Sequence, residues 1–415
     1  MYDFAFDKRS LGREFIRSDF SGNPNLIDEA VRDSIVDTAV LHASSGFPNI
    51  VFDVSRVRGK DIYQTTILPH DLILRKLSRN IKIITKVRQS DRNNIIKSLV
   101  ALLEEGHPYR IYKLDIKQFY ESFDTDHIEQ RFASDPGFPT SSLFVFHSLR
   151  QHLIARNISG LPRGLAISAT LSEYAMRPFD AFVRRDAAVY FYARYVDDIV
   201  IITTGAENKR KFMRALQKNL PQGLNFNYKK SHVADLFAPR VRGANLPINE
   251  ASVDFLGYRF NVMQQTKPGQ VVLRTVTVDI APRKIIRFKT RIVLSILRFI
   301  DDGIFIDLLD RLRLLTGNYN LYDFNMNIRR NVGIYWNYRQ INISASTALP
   351  ELDAFLKKLL LARSGRIAER LAPALTAPMR RQLLTLGFSR SFSSRAFYHF
   401  GAQRMAHLVQ CWSYE

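Results

Sequence analysis

Cysteine is nearly absent: the 415 residues contain one, Cys411, so no internal disulfide can form. Histidine is sparse as well, nine residues scattered without zinc-ligand spacing, which sets aside the zinc and dithiol redox classes. No run of eighteen apolar residues occurs, and this excludes a membrane-spanning helix. The opening MYDFAFDKRS mixes acids and bases where a secretory leader needs a basic start and an apolar stretch. A soluble, cytoplasmic chain without membrane partners is the expectation. Glycine and proline never cluster into a long linker, no segment is low in complexity, and no repeat of solenoid length recurs, so the lobes are close-packed.

Acidic residues are also short in supply. Lys+Arg number 60 against 39 Asp+Glu, a net charge of +21 on a chain that is 46% hydrophobic and 24% charged. That balance is globular, and the length calls for two or three lobes each with its own core. The positive surplus costs self-repulsion in the folded state, which a polyanionic partner offsets; nucleic acid is the leading candidate. Charge alone does not separate an enzyme from a binding module.

Apolar residues at helical spacing predict a helix over 24 to 45, whereas Asn80 to Arg88 (NIKIITKVR) reads as a basic strand. Ser90 and Asp91 supply cap chemistry for a helix from Asn94 to Glu105, closed by Gly106 and Pro108 and followed by a strand from Tyr109 to Ile116. Residues 189 to 202 (VYFYARYVDDIVII) predict two strands joined by a turn at Val196, Asp197 and Asp198. A helix at 207 to 219 and strands around 224 to 229 and 253 to 260 follow. Sheet interleaved with helices in this order is α+β. From Pro282 a basic amphipathic helix carries Arg283, Lys284, Arg287, Lys289 and Arg291, and residues 351 to 415 continue helical with ten Lys/Arg against four Asp/Glu.

Chemistry concentrates in three carboxylates. Asp115 ends an apolar strand, where burial without a partner costs several kcal/mol, and Asp197 and Asp198 adjoin at a hairpin tip, where they repel each other unless a cation is shared. Three acids on one sheet edge point to a divalent metal; two Mg²⁺ ions about 3.5–4 Å apart would activate an attacking 3′-hydroxyl and stabilise departing pyrophosphate. Mn²⁺ suits the same oxygen ligands. Taken singly, each acid has a plainer reading as a turn residue or a cap.

Together they carry a resemblance. LDIKQFYESF (114–123), GLPRGLAIS (160–168), YVDD (195–198), NYKKS (227–231) and FLGY (255–258) resemble, in order and spacing, motifs A to E of reverse transcriptases. The likeness is strong over about 75–260, loose over 282–345 and slight at both termini. It implies a right-hand polymerase fold: an N-terminal region and fingers over 1–114, a palm of antiparallel sheet plus helices over 115–260 with an interleaved fingers segment near 125–160, a helical thumb over 261–345, and a basic extension over 346–415.

The resemblance also implies roles. Asp115 and Asp197 would be principal metal ligands, with Asp198 nearby and the Ile116 carbonyl as a further ligand. Tyr120 would stand where a ribose 2′-hydroxyl would go, favouring dNTPs; its plainer reading is a core tyrosine, and Phe119 beside it must face the other way. Gly164 would admit backbone to the nucleotide, and Arg163, where many members have glutamine, would bring a bidentate fork near phosphate or template. Lys230 would be the general acid for pyrophosphate, with Lys229 the competing assignment. Lys82, Lys86, Arg88 and Arg92 are triphosphate candidates, equally readable as template contacts. Phe255, Gly257 and Tyr258 match a primer-seating hairpin, with Arg283, Lys284 and Arg287 on the primer–template duplex.

No nuclease or integrase pattern follows the thumb. YVDD, LPRG, DIKQFYES and GIYWNY (333–338) together resemble bacterial defence-associated reverse transcriptases of the abortive-infection and unknown-group lineages, including the small subunit of class-3 systems. This implies antiviral defence, a non-coding RNA as template or scaffold, a DNA product and primer, and a homo-oligomer or a partner reverse transcriptase. Template-independent or protein-primed DNA synthesis stays open within that class. Two readings compete with it: an RNA-dependent RNA polymerase, disfavoured by YVDD and Tyr120, and a catalytically silent RNA-binding scaffold, disfavoured by the retention of all three acids.

Overall fold

The computed structural model describes residues 3–57, 59–236, 248–265, 273–323 and 328–413. Two compact units form, one from Met1–Asp91 and Pro108–Phe237, the other from Arg92–His107, Ala238–Asp323 and Ile328–Glu415. The sheets among the described residues are antiparallel and interleaved with helices, so the fold is α+β.

In the first unit β1 (Phe52–Val57) and β2 (Lys60–Thr65) make a hairpin. A four-stranded sheet is built from β3 (Tyr109–Asp115), β4 (Val189–Tyr195), β5 (Asp198–Thr203) and β6 (His232–Leu236), in the order β4-β5-β3-β6. Side chains alternate across a strand, and Tyr112 and Leu114 of β3 with Ile199 and Ile201 of β5 face the apolar core. There they join Leu171, Ala175, Phe179 and Val183 of the Ser168–Arg185 helix and Phe212 and Leu216 of the Lys209–Asn219 helix. Each buried Leu, Ile, Val or Phe among them contributes about 1.5–3 kcal/mol. The alternation sends Lys113, Asp115 and Asp198 to the opposite face.

The second unit contains the meander β7 (Ile248–Phe255), β8 (Tyr258–Gln265) and β9 (Leu273–Ile280), the ribbon β10 (Asn318–Asp323) and β11 (Ile328–Gly333), and the Pro282–Asp302 and Phe305–Thr316 helices. Shorter helices follow from Ala348 to Val409, as the periodicity after residue 351 implied.

Three local expectations are corrected. Asn80 to Thr85 is not strand but the last turns of a Leu68–Thr85 helix. Ile73, Leu77 and Ile81, four apart, are fully buried along it, and Asn80 donates to the Phe4 carbonyl and Ser142 Oγ. Packing at helical period overrides the few tenths of a kcal/mol by which β-branched residues disfavour helix. Residues 224–229 form no strand: Phe226 makes one bridge to Ile116, and Lys230 and Ser231 donate back to the Asn227 carbonyl in a turn. Finally, 253–260 is two strands around a Leu256–Gly257 turn, with both residues at positive φ.

Candidate active site

Asp115 is the last residue of an inner strand, and its register partner across the ladder is Asp198. Backbone hydrogen bonds gather the neighbouring segments around it. Ile116 N–H donates to the Asp197 carbonyl at 3.2 Å, Asn227 N–H to the Asp115 carbonyl at 2.7 Å, and Asp115 N–H to Ser231 Oγ at 3.3 Å. The motif A strand end, the motif C turn and the motif D turn are thereby one hydrogen-bonded assembly.

The electrostatics follow from that closeness. Burial, reinforced by the charges of Asp198 and Asp115, raises the Asp197 carboxyl above its ordinary range. Lys113 lies 3.2 Å from Asp198, and Lys230 lies 3.8 Å from Asp115. Of the two lysines competing for the motif D role, Lys230 is the one beside the acid, with a half-exposed side chain.

The turn itself is held under strain. Val196 has φ +60, an outlier for a β-branched residue. Its carbonyl accepts from Arg194 at 3.2 Å, and the same buried guanidinium is forked onto Glu173 (3.0 and 2.7 Å) and Asp180 (2.9 and 2.8 Å) of the Ser168–Arg185 helix. Arg194 thus ties the motif B helix to the acidic turn. An arginine inside the aromatic run VYFYARY was its signal in the sequence.

Phe119 is buried, and Tyr120 beside it is half-buried with the Arg163 guanidinium 4.8 Å from its ring centre. Burial raises the Tyr120 phenol, and the Asp197 charge adds to this. The Arg163 fork closes on Glu121 at 2.8 and 3.2 Å, with Lys60 3.1 Å from the same carboxylate. Burial opposes the Glu121 charge, but these hydrogen bonds outweigh it and hold the group at about 2. The expectation that the Arg163 fork is presented to phosphate or template is therefore corrected: here it is engaged by Glu121, an acid next to Tyr120 that sequence reading passed over.

Gly164 packs on the β1–β2 hairpin. At φ +99, a Cβ there would stand 2.4 Å from the Tyr63 carbonyl of β2, and Tyr63 N–H donates to the Arg163 carbonyl at 2.7 Å. Its glycine is required by the hairpin packed on it.

The remaining candidates separate. Lys82 lies on the Leu68–Thr85 helix, Lys86 caps that helix at φ +56, and Arg88 follows; all three are exposed. Arg92 belongs to the second unit, where it donates to the Leu256 carbonyl (3.1 and 2.7 Å) and the Asn337 carbonyl (2.9 Å) and lies 4.9 Å from the Tyr258 ring centre. Arg92 thus braces the motif E hairpin. Phe255 and Tyr258 are buried, the tyrosine donating to the Asn337 carbonyl at 3.0 Å, so their rings form core rather than a primer surface. A Cβ on Gly257 would stand 3.2 Å from Lys284, which crosses that turn; Arg283 is exposed and Arg287 half-buried on the same helix.

Among the described residues no three His, Cys, Asp or Glu side chains are arranged to hold a metal by themselves. Magnesium is commonly bound by one or two carboxylates completed by substrate phosphates rather than by an all-protein cage. Asp115 and Asp197, on segments joined by the Ile116 N–H to Asp197 carbonyl bond with lysines at their margin, fit that requirement.

A family model described as reverse transcriptase (RNA-dependent DNA polymerase) matches residues 63–260. The match covers 198 of the 415 residues, and over them the chain is similar to that family. No curated protein matches the chain. Similar solved structures include apo telomerase from Candida tropicalis truncated from its C-terminal domain (13% identity over 55% of this chain and 59% of that one, TM-score 0.34). Others are apo telomerase from Candida tropicalis (12%, 92% and 69%, TM-score 0.37) and telomerase from Candida albicans with a TWJ fragment of telomeric RNA (12%, 91% and 68%, TM-score 0.33). The chain spans 59% of the first of these.

Proposed function

We propose that the chain is an RNA-directed DNA polymerase whose palm is the β4-β5-β3-β6 sheet, with fingers before it and a helical thumb from Pro282. The observation that carries this reading is the joining of Asp115, the Asp197 turn and the Lys230 turn by direct backbone hydrogen bonds inside the stretch that the reverse transcriptase family model matches. Asp115, Asp197 and Asp198, with the Ile116 carbonyl, would hold divalent ions, Mg²⁺ or Mn²⁺. When bound, such ions lower the pKa of a 3′-hydroxyl and neutralise pyrophosphate charge. Lys230, half-exposed and 3.8 Å from Asp115, would protonate the leaving group, and Tyr120 would test the sugar.

The family-level likeness of YVDD, LPRG and GIYWNY to defence-associated bacterial enzymes supports a non-coding RNA partner and a role against bacteriophage. No helix among the described residues is long and apolar enough to cross a membrane.

The first test is incorporation of labelled dNTPs on a primed RNA template with Mg²⁺, alongside sequencing of the RNA that copurifies. Incorporation that disappears in the Asp197→Ala, Asp198→Ala double variant, with folding and RNA retention unchanged, supports the reading. Incorporation that survives it overturns the metal assignment, and bound RNA without DNA product under any primer condition favours the scaffold. Plaque counts on cells carrying the parent or double-variant gene test the defence role.

A further inference from the structure

The second unit carries a cluster that the palm chemistry does not use. Tyr335 and Trp336 stand edge to face, ring centres 5.4 Å apart, and Tyr335 packs likewise on Phe392. The exposed Arg339 places its guanidinium 4.1 Å from the Trp336 ring centre, and the exposed Arg395 places its own 4.6 Å from that of Tyr335. Both rings remain partly open to solvent. Arg395 reaches this position from φ +53 at the end of the Phe388–Ser394 helix.

The cluster is assembled from distant segments and is rigidly held. Asn318, fully buried, donates through its backbone and side chain to the Ala396 carbonyl, accepts from Tyr398 N–H, and receives Tyr335 N–H on its side-chain oxygen. A Cβ on Gly317 would stand 2.4 Å from the Tyr398 ring, and one on Gly333 2.3 Å from the Gly317 carbonyl. The adjoining β11 adds the exposed Arg329 and Arg330. A packed core needs none of these cations at its rim, and an ordinary solvated face needs no open indole.

We propose that Tyr335, Trp336, Arg339 and Arg395 form a stacking platform for unpaired bases, a docking surface for single-stranded nucleic acid. Base faces stack on aromatic rings and guanidinium planes, while the surrounding arginines take phosphates. A duplex keeps its base faces within the helix and offers phosphates alone, so the platform selects single strands. The C-terminal segment thereby gains a role, since Arg395 and the Ala396 carbonyl complete the surface.

Trp336 is one of two tryptophans, and the other, Trp412, is buried with its indole N–H on Ser295. Quenching of tryptophan fluorescence therefore reports on the platform directly. Short oligo(rU) and oligo(dT) probes are expected to quench it, with their relative affinities showing whether RNA or DNA is preferred. Trp336→Ala should weaken oligo(rU) binding about tenfold, as should Arg339→Ala, while Trp336→Phe retains most of the affinity. Heparin, a polyanion without bases, should compete without quenching. The titration is run without dNTPs or divalent metal, so its outcome does not depend on the polymerase reading. Equal affinity for duplex and single strand, or unchanged affinity in a folded Trp336→Ala variant, would overturn it. Failure to bind any nucleic acid would also overturn it, in favour of a protein partner on this face.

Discussion

Two acid clusters in this protein invite comparison. Asp307 and Asp310, on the Phe305–Thr316 helix, are buried, and Arg404 reaches both, at 2.5 and 2.7 Å, with His407 adding a 2.6 Å contact to Asp307. Burial opposes the Asp307 charge, but His407 and Arg404 outweigh it and hold the carboxyl below its ordinary range. Asp197 goes the other way, raised by burial and by its neighbours Asp198 and Asp115. One cluster is closed by guanidinium groups of its own chain. The other keeps its arginine, Arg163, on Glu121 and leaves lysines 3.2 and 3.8 Å from its acids. Closed acids hold helices together; acids left with unresolved repulsion are suited to an added cation.

The largest expected difference is functional. Asp197→Asn should lower nucleotide incorporation roughly a thousandfold or more, since a developing charge loses its stabilising site, with an unchanged urea midpoint. Asp307→Asn should do the reverse, shifting the midpoint while the rate per folded molecule stays near that of the parent. If both variants lose activity without losing stability, the distinction between closed and open acids fails.

Next in size is Arg194→Met, which leaves the partly buried Glu173 and Asp180 without their buried counter-charge. A loss of about 3–5 kcal/mol in urea unfolding is expected, with partial recovery when Asp180→Asn is added. No recovery would mean that the guanidinium acts by packing alone.

A third buried polar group is neutral rather than paired. His70 is fully buried; burial first, then the charges of His42 and His152, hold it at about 4. The unfolded imidazole titrates near 6.5, so stability present above pH 6.5 is lost as pH falls towards 4, by about 3 kcal/mol at most. His70→Gln should flatten that part of the pH–stability curve; an unaltered slope would place the titration elsewhere.

The smallest effect concerns sugar choice. Tyr120→Ala should raise the ratio of ribo- to deoxynucleotide incorporation about tenfold, in the range expected of a steric pocket. A ratio that does not move would make Tyr120 a core residue only.

Legibility varied with the range of the interaction. The α+β class, the 189–203 hairpin and the Pro282 helix were readable because periodicity and turn chemistry are local. The Asn80–Arg88 run misled because its β-branched composition was read without Ile73 and Leu77, which place it on a longer buried helix. Arg92 was offered as a triphosphate ligand on charge and position, yet its carbonyl partner at Leu256 lies 164 residues away. Phe255 and Tyr258 were offered as primer contacts and are interior side chains.

By itself, the sequence determined the positive charge, the order of the five motifs and the identities of the acids, because these are properties of residue type and spacing. Tertiary structure alone decided which cation each acid receives: Arg163 for Glu121, Arg194 for Glu173 and Asp180, Arg404 for Asp307, and lysines for Asp115 and Asp198. Hydrogen bonds and ion pairs act over a few ångströms, and those distances arise only when segments far apart in the chain are packed together.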